Sequence, residues 1–389
     1  MKTCPGLTRR KWLGGIAAAA GSAAWTYTAF GQNPAAPTAP VAIAKCNSYG
    51  PELLPLMEKM FDQIGGLGRL VKNKTVAIKV NLTGSPTYRL GHTPAELAHW
   101  THPAVIGTTI RLMDQAGAKR VRILESPWST AGLIEDYMFE ANWDPRALLN
   151  AGAHVEMENT NYLGNAKKYS EFRPPNGGHM FKAYMLNHSY ADCDVFVSIA
   201  KLKDHATAGI TLSMKNCFGI TPCTIYGEGA GVDEPSIIPK GGRGMIHAGD
   251  RQPSKIAPPE NDPKSPREGG YRVPRVVADL IAARPIHLAI IDGIATMTGG
   301  EGPWIRPSKP CTPGVMIVGT NCVTTDAVGA AVMGYDPMAD RGTPPFETAD
   351  STLRLAEMHG VGTRDLKRIE VLGTSIADAR FDFRKALKS

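Results

Sequence analysis

Residues 194–221, DVFVSIAKLKDHATAGITLSMKNCFGIT, limit the possible folds more than any other stretch. DVFVSIA is nearly unbroken in hydrophobicity and rich in β-branched and aromatic residues, the pattern of a strand buried on both faces of a parallel sheet. A strand of that kind needs helices on either side, which makes the chain an α/β protein. Ligands in open α/β sheets sit at the carboxyl ends of strands, so the KLKDH that follows has a geometric reason to face one. We read 195–216 as strand, loop, strand: ITLSMKN runs back beside VFVSIA, Lys215 returns toward the same place, and Asn216 fixes the backbone by hydrogen bonding. The plainer reading is a solvated charged loop.

The rest of the chain alternates in the same way. VAIAKC (41–46), TVAIKVNL (75–82), VRILES (121–126), AHVEMEN (153–159), HLAIIDG (287–293), VMIVGT (315–320) and RIEVLG (368–373) read as strands. PELLPLMEKMFDQIGG, PAVIGTTIRLMDQAGA, a segment at about 131–151, VPRVVADLIAARP and DAVGAAVMGY read as helices. This predicts one doubly wound, mainly parallel sheet with helices on both faces, in a single domain over 41–389. Residues 224–271 break the pattern. Rich in Gly, Pro and charge, they form a long irregular insertion that reads as a lid or as a surface loop, with Arg243 and His247 as site candidates only in the first case.

Polar residues gather at the strand ends. Lys79 and Asn81 follow VAI, Glu125 follows VRIL, Lys201, Lys203 and His205 follow VFVSIA, and Asp292 follows LAII. Neighbouring parallel strands present such ends along one edge of a sheet. Lys203, His205, Lys215 and Asp292 are the candidate catalytic residues. Lys79, Asn81, Glu125, Lys201 and Asn216 are candidate ligand-binding residues, with Gly299 and Gly302 of GGEGP as points of close backbone approach. Clustered lysines favour a small anionic ligand and lower one another's proton affinity, which suits a general base or an amine nucleophile, while histidine shuttles protons near neutrality. The leading expectation is an enzyme acting on a small anionic substrate. A non-catalytic anion-binding or accessory protein is the first alternative. The second is a metal-dependent enzyme using His92, His99, His102 or His205 with Glu125 or Asp292. There is no phosphate loop, dinucleotide fingerprint or Gly-x-Ser-x-Gly elbow, and the sequence identifies no cofactor.

Several of these motifs together resemble a bacterial and archaeal family, domain of unknown function 362. They are VAIKVNL, THP at 101–103, IAKLKDHATAGITLSMKNCFGITP, IIDGIATMTGGEGP and TTDAVGAAVMGYDP, within a resemblance spanning about 41–375. Many members carry an added ferredoxin-like segment with closely spaced cysteines. This chain has no C-x-x-C run, so the resemblance does not imply electron transfer through built-in clusters.

Residues 1–31 read as a twin-arginine export signal. Arg9-Arg10 is followed by a weakly apolar Ala/Gly segment and by Ala29-Phe30-Gly31, a site for cleavage before Gln32. A Pro/Ala-rich linker at 32–40 follows. The expected partners are the twin-arginine machinery and a small anion, the expected location periplasmic or secreted, and no stable membrane span is expected after cleavage. Lys2, Arg9, Arg10 and Lys11 supply four of the net +7 charges, which leaves about +3 without a basic stripe and argues against nucleic acid. Six cysteines remain beyond the signal. Cys217 and Cys223 are the only close pair, read as a disulfide or as two buried thiols.

Overall fold

The computed structural model describes residues 35–128, 132–161, 168–238 and 242–389. The expected export signal and the first residues of the linker lie outside the described residues. Eight strands form one sheet: β1 (Val41–Lys45), β2 (Thr75–Lys79), β3 (Arg120–Glu125), β4 (Val155–Asn159), β5 (Val195–Lys201), β6 (Leu288–Gly293), β7 (Val315–Gly319) and β8 (Val371–Gly373). Their spatial order is β8-β1-β7-β6-β5-β2-β3-β4. Only β7 runs against its neighbours. Between β6 and β7 the chain makes no helical crossover but a small hairpin, Thr296–Thr298 with Lys309–Cys311, so it re-enters the sheet from the end at which it left.

Alternation along the strands feeds two cores, as a double winding requires. Val76 and Ile78 of β2 pack on one face with the helices Leu53–Gln63 and Pro103–Gln115, whereas Ala77 faces the other core. That second face is covered by Gly269–Ala283, Cys322–Val332 and Thr352–Met358. Gly269–Ala283 continues through Pro274, which lacks the N–H that would bond the carbonyl one turn earlier. The Gly270 carbonyl accepts instead from the Asp350 N–H at 2.9 Å, tying this helix to the segment leading into Thr352–Met358.

Three expectations need correction. The segment 131–151 is two short helices, Ile134–Glu140 and Pro145–Leu149, the second opened by the Asp144 cap and Pro145. ITLSMKN is not a returning strand. After a two-residue pairing of Asp204–His205 with Gly209–Ile210, residues Leu212–Asn216 form a short helix. Its first N–H groups are held by a carboxylate distant in sequence: Asp326 accepts from Ser213 N, Met214 N and the Ser213 hydroxyl at 2.6–2.9 Å. Local β-propensity lost to that tertiary cap. The described part of 224–271 is largely irregular, as expected, but it is packed and not a free surface loop: Tyr226, Met245 and Ile246 are buried, and a buried Glu260 holds Arg272 of the following helix at 3.1 Å. Its backbone is satisfied by irregular turns and by side chains, which leaves no periodicity to read.

Residues 35–40 lie along the domain, Pro37 accepting from Thr363 N and Ala36 from Arg368. Cys46, Cys193, Cys217, Cys311 and Cys322 are free thiols, and Cys217 and Cys223 are both buried. No helix among the described residues is long and apolar enough to cross a membrane.

Candidate functional site

From β2 the chain winds outward through β3 and β4, then returns to lay β5 against the other side of β2 and continues through β6 and β7. The winding direction reverses between β2 and β5, and at such a switch point the connections leave a crevice at the carboxyl ends. A cavity of about 400 Å³ opens there, lined from these ends by Lys79, Asn81, Glu125, Lys203, His205, Lys215 and Asn216.

The floor is fixed by hydrogen bonds. Lys79 meets Glu125 at 2.6 Å, both side chains almost wholly buried. Burial pulls the Lys79 proton affinity down, and Glu125 opposes that. Glu125 also accepts from Leu82 N and Ser126 N, so its lone pairs are largely committed to the local backbone. Asn216 sits across the seam: its amide donates to Lys79 O, Ser198 Oγ and Ile199 O, and its Oδ1 accepts from Lys79 Nζ at 3.3 Å. It joins β2 to β5 where the two strands part. Gly219 lies against this floor, and a Cβ there would come within 3.1 Å of Lys79 Nζ.

Lys203 is fully buried and donates to the carbonyls of His99 and Glu301, each at 2.7 Å. Burial, reinforced by the neighbouring lysines, pushes its pKa well down. Lys215 is different. Its ammonium lies 4.5 Å from the centre of the Phe218 ring and has no hydrogen-bond or ion-pair partner among the described residues. Burial, with Arg243 and Lys79 nearby, lowers its pKa to about 7.

The two histidines of the cavity carry opposite tautomers. His205 Nδ1 accepts from Thr207 N at 3.0 Å, so the proton of the neutral ring sits on Nε2. His247 Nδ1 lies 2.9 Å from the Arg243 carbonyl, which can only accept, so Nε2 of that ring keeps a lone pair. Burial holds both rings neutral, His247 down to about 4. Glu301 is ionised, with a pKa of about 2: burial opposes this, but hydrogen bonds from the Ala206 N–H and the Trp304 indole N–H favour the carboxylate, and the charge of a protonated His205 would favour it further. Arg243 spends Nε and Nη2 on the carbonyls of Thr221, Ser126 and Gly219. Among the described residues, Asn81 Oδ1 is also buried with no hydrogen-bond partner. Buried carbonyls are seldom left so, and this one borders the cavity.

Two groups of sequence-selected residues lie elsewhere. Asp292, opposite Lys201 in the β6–β5 register, pairs with it at 2.8 Å, both fully buried. Tyr49, the His102 N–H and Ile294 N complete the carboxylate's partners, and Lys201 donates to Glu96 O. This unit is sealed and does not line the cavity, so Asp292 and Lys201 are removed from the candidate site. Gly299 and Gly302 serve their own loop. A Cβ on Gly302 would collide with the Trp304 ring, and one on Gly299, at φ +93°, with the Pro307 carbonyl. Nor do the three early histidines converge as metal ligands. His92 is exposed, His99 is buried with neither ring nitrogen bonded, and His102 stacks on Tyr49 at 3.6 Å while capping Pro103–Gln115.

Sequence reasoning did not select Glu301 or the rim aromatics Tyr88, Trp128 and Trp304, and it admitted Arg243 and His247 only conditionally. All come from irregular segments, His247 closing the four-residue helix Gly244–His247. The one available signal was the persistence of charge and tryptophan beside glycine-rich turns.

Fold and pocket define an α/β protein with a cationic cavity at the switch point of its sheet. The chain belongs to the family described as Domain of unknown function (DUF362), which matches residues 76–331. A thylakoid-associated protein of Synechocystis is 27% identical over 188 residues, 47% of this chain and 50% of that protein. The chain thus matches about half the length of this curated relative. Among solved structures, a Thermotoga maritima protein aligns over 69% of this chain and 55% of its own at 12% identity, with a TM-score of 0.35. The lactate racemase apoprotein of Thermoanaerobacterium thermosaccharolyticum aligns over 70% and 54%, at 13% identity and a TM-score of 0.33.

Proposed function

We propose that this protein is an exported enzyme that binds a small carboxylate- or phosphate-bearing compound in the switch-point cavity and moves a proton to or from it. The observation that carries the reading is Lys215, an amine without a hydrogen-bond or ion-pair partner among the described residues and with a pKa of about 7, beside two neutral histidines. An amine poised near ambient pH is a competent general base. Lys79 and Arg243 supply the positive field that holds the anion, and Asn81 Oδ1 accepts a hydrogen bond from a substrate hydroxyl or amine. The histidine tautomers place a donor, His205 Nε2–H, and an acceptor, His247 Nε2, in the same cavity.

Isotope exchange tests this whatever the product is. Small carboxylates and phosphates are screened for thermal stabilisation of the purified protein, and each binder is incubated with it in D2O and examined for deuterium at carbon. Incorporation by the parent protein and its loss in Lys215→Met support proton transfer. Tight binding that weakens in Lys215→Met, with no deuterium gained by any binder, would make the protein a non-catalytic anion-binding component. Binding unaffected by that substitution would remove the cavity reading altogether. The export half is tested separately: Arg9→Lys with Arg10→Lys should hold the protein in the cytoplasm, because the pair is read by a receptor as more than charge.

A further inference from the structure

On the face of the sheet covered by Gly269–Ala283, three residues remote in sequence bring ligating atoms together. Asp279 is fully buried on that helix, His359 ends Thr352–Met358, and His179 lies in the loop before the strand Tyr184–Asn187. One oxygen and two ring nitrogens from these residues all lie within 4.8 Å of one another. We propose that His179, Asp279 and His359 form a site for a single divalent transition-metal ion, zinc in the first instance, separate from the cationic cavity.

His359 Nε2 and Asp279 Oδ1 are 3.0 Å apart. Two ligands of a tetrahedral zinc at its usual bond lengths are separated by about 3.3 Å, so this pair already has the required spacing. His179 Nε2 is buried with no hydrogen-bond partner among the described residues. With the ring proton on Nδ1, that nitrogen carries the lone pair a metal requires. The carboxylate is oriented from behind: Asp279 Oδ2 accepts from the Tyr184 hydroxyl at 2.8 Å and from Met180 N at 2.9 Å. Such outer partners are what a metal-binding carboxylate ordinarily has. Gly178 permits the approach, since a Cβ there would lie 2.6 Å from Asp279 Oδ2. Two imidazoles and one carboxylate suit zinc and leave a fourth position for water. The His359 side chain is nearly buried, whereas His179 is only partly buried and lies on the side from which an ion can enter. Bound there, the ion would clamp the 173–181 loop to both helices.

The experiment uses the purified protein, stripped of metal by chelator and titrated with cobalt(II) as a spectroscopic stand-in and with zinc. One cobalt per chain with strong tetrahedral visible absorption is expected, together with a zinc-dependent rise in Tm of about 2–5 °C. His179→Gln should abolish the absorption and the zinc-dependent rise while the far-UV circular dichroism stays that of the parent protein. His359→Gln should weaken metal binding at least about tenfold. His205→Gln, in the cationic cavity, should leave the signal intact. Absence of stoichiometric cobalt binding, or binding that survives both His179→Gln and His359→Gln, would overturn the proposal and leave these residues as a hydrogen-bonded cluster.

Discussion

Lys201 and Lys215 lie fourteen residues apart on the same motif and have opposite situations. Lys201 is sealed: its ammonium meets Asp292 at 2.8 Å, with Tyr49 and a backbone carbonyl filling its remaining valences. Lys215 borders the cavity with an aromatic ring beneath it and no anion bonded to it. Burial lowers the proton affinity of both. What separates them is compensation, since a paired charge can hold strands β5 and β6 together whereas an uncompensated one is held in reserve for a ligand.

The sharpest way to break this contrast is to remove one partner of the sealed pair. Lys201→Met or Asp292→Asn should each cost about 3–5 kcal/mol in urea unfolding, because the partner is left charged and buried. Lys215→Met should behave in reverse. Its unfolding free energy should stay the same or rise by about 1 kcal/mol, while affinity for an anionic ligand, read by calorimetry, falls about 30-fold or more. Equal stability losses in the two lysine variants would erase the distinction.

A pH titration sharpens the comparison with a smaller effect. Lys215 binds its proton with a pKa of about 7 in the folded protein, against its usual 10.5. Between these values the unfolded chain holds a proton that the folded one has released. The stability of the parent protein relative to Lys215→Met should therefore rise with pH from about 7 to about 10.5 and be flat outside that window. Anion binding should weaken as pH rises through 7, whereas proton abstraction by the free amine should quicken over the same range. The smallest effect is expected at Asn81. Because its Oδ1 has no hydrogen-bond partner among the described residues, Asn81→Ala should change stability by less than about 1 kcal/mol and weaken the ligand by about five- to tenfold.

Much of the frame could be read from residues alone. Runs such as VFVSIA and LAIID are buried strands because their apolar side chains must cover two faces, and the structure puts them in neighbouring positions. Lys79, Lys203, His205 and Lys215 do reach one cavity. Which lysine is sealed could not be read: Lys201 and Lys203 share a motif, and only the register of β6, which places Asp292 opposite Lys201, assigns the pair. The helix Leu212–Asn216 was equally hidden, since the carboxylate that caps it is Asp326, on another helix. Arg243 and His247 stand in a segment whose order comes from side chains bonding backbone, for which a sequence has no periodic signature.

The seam at Asn216 has one further consequence. With one side chain bridging Lys79, Ser198 and Ile199, the base of the cavity inherits the stiffness of the sheet, while Tyr88, Trp128 and Trp304 stand on loops and are all more than a third exposed. Of the three, only Trp304 is tied to the reactive groups, through its indole N–H on Glu301. Exchanging Tyr88 or Trp128 at the mouth would retune which molecules enter without disturbing the geometry of the amine below, so this scaffold can be redirected to new compounds one rim residue at a time.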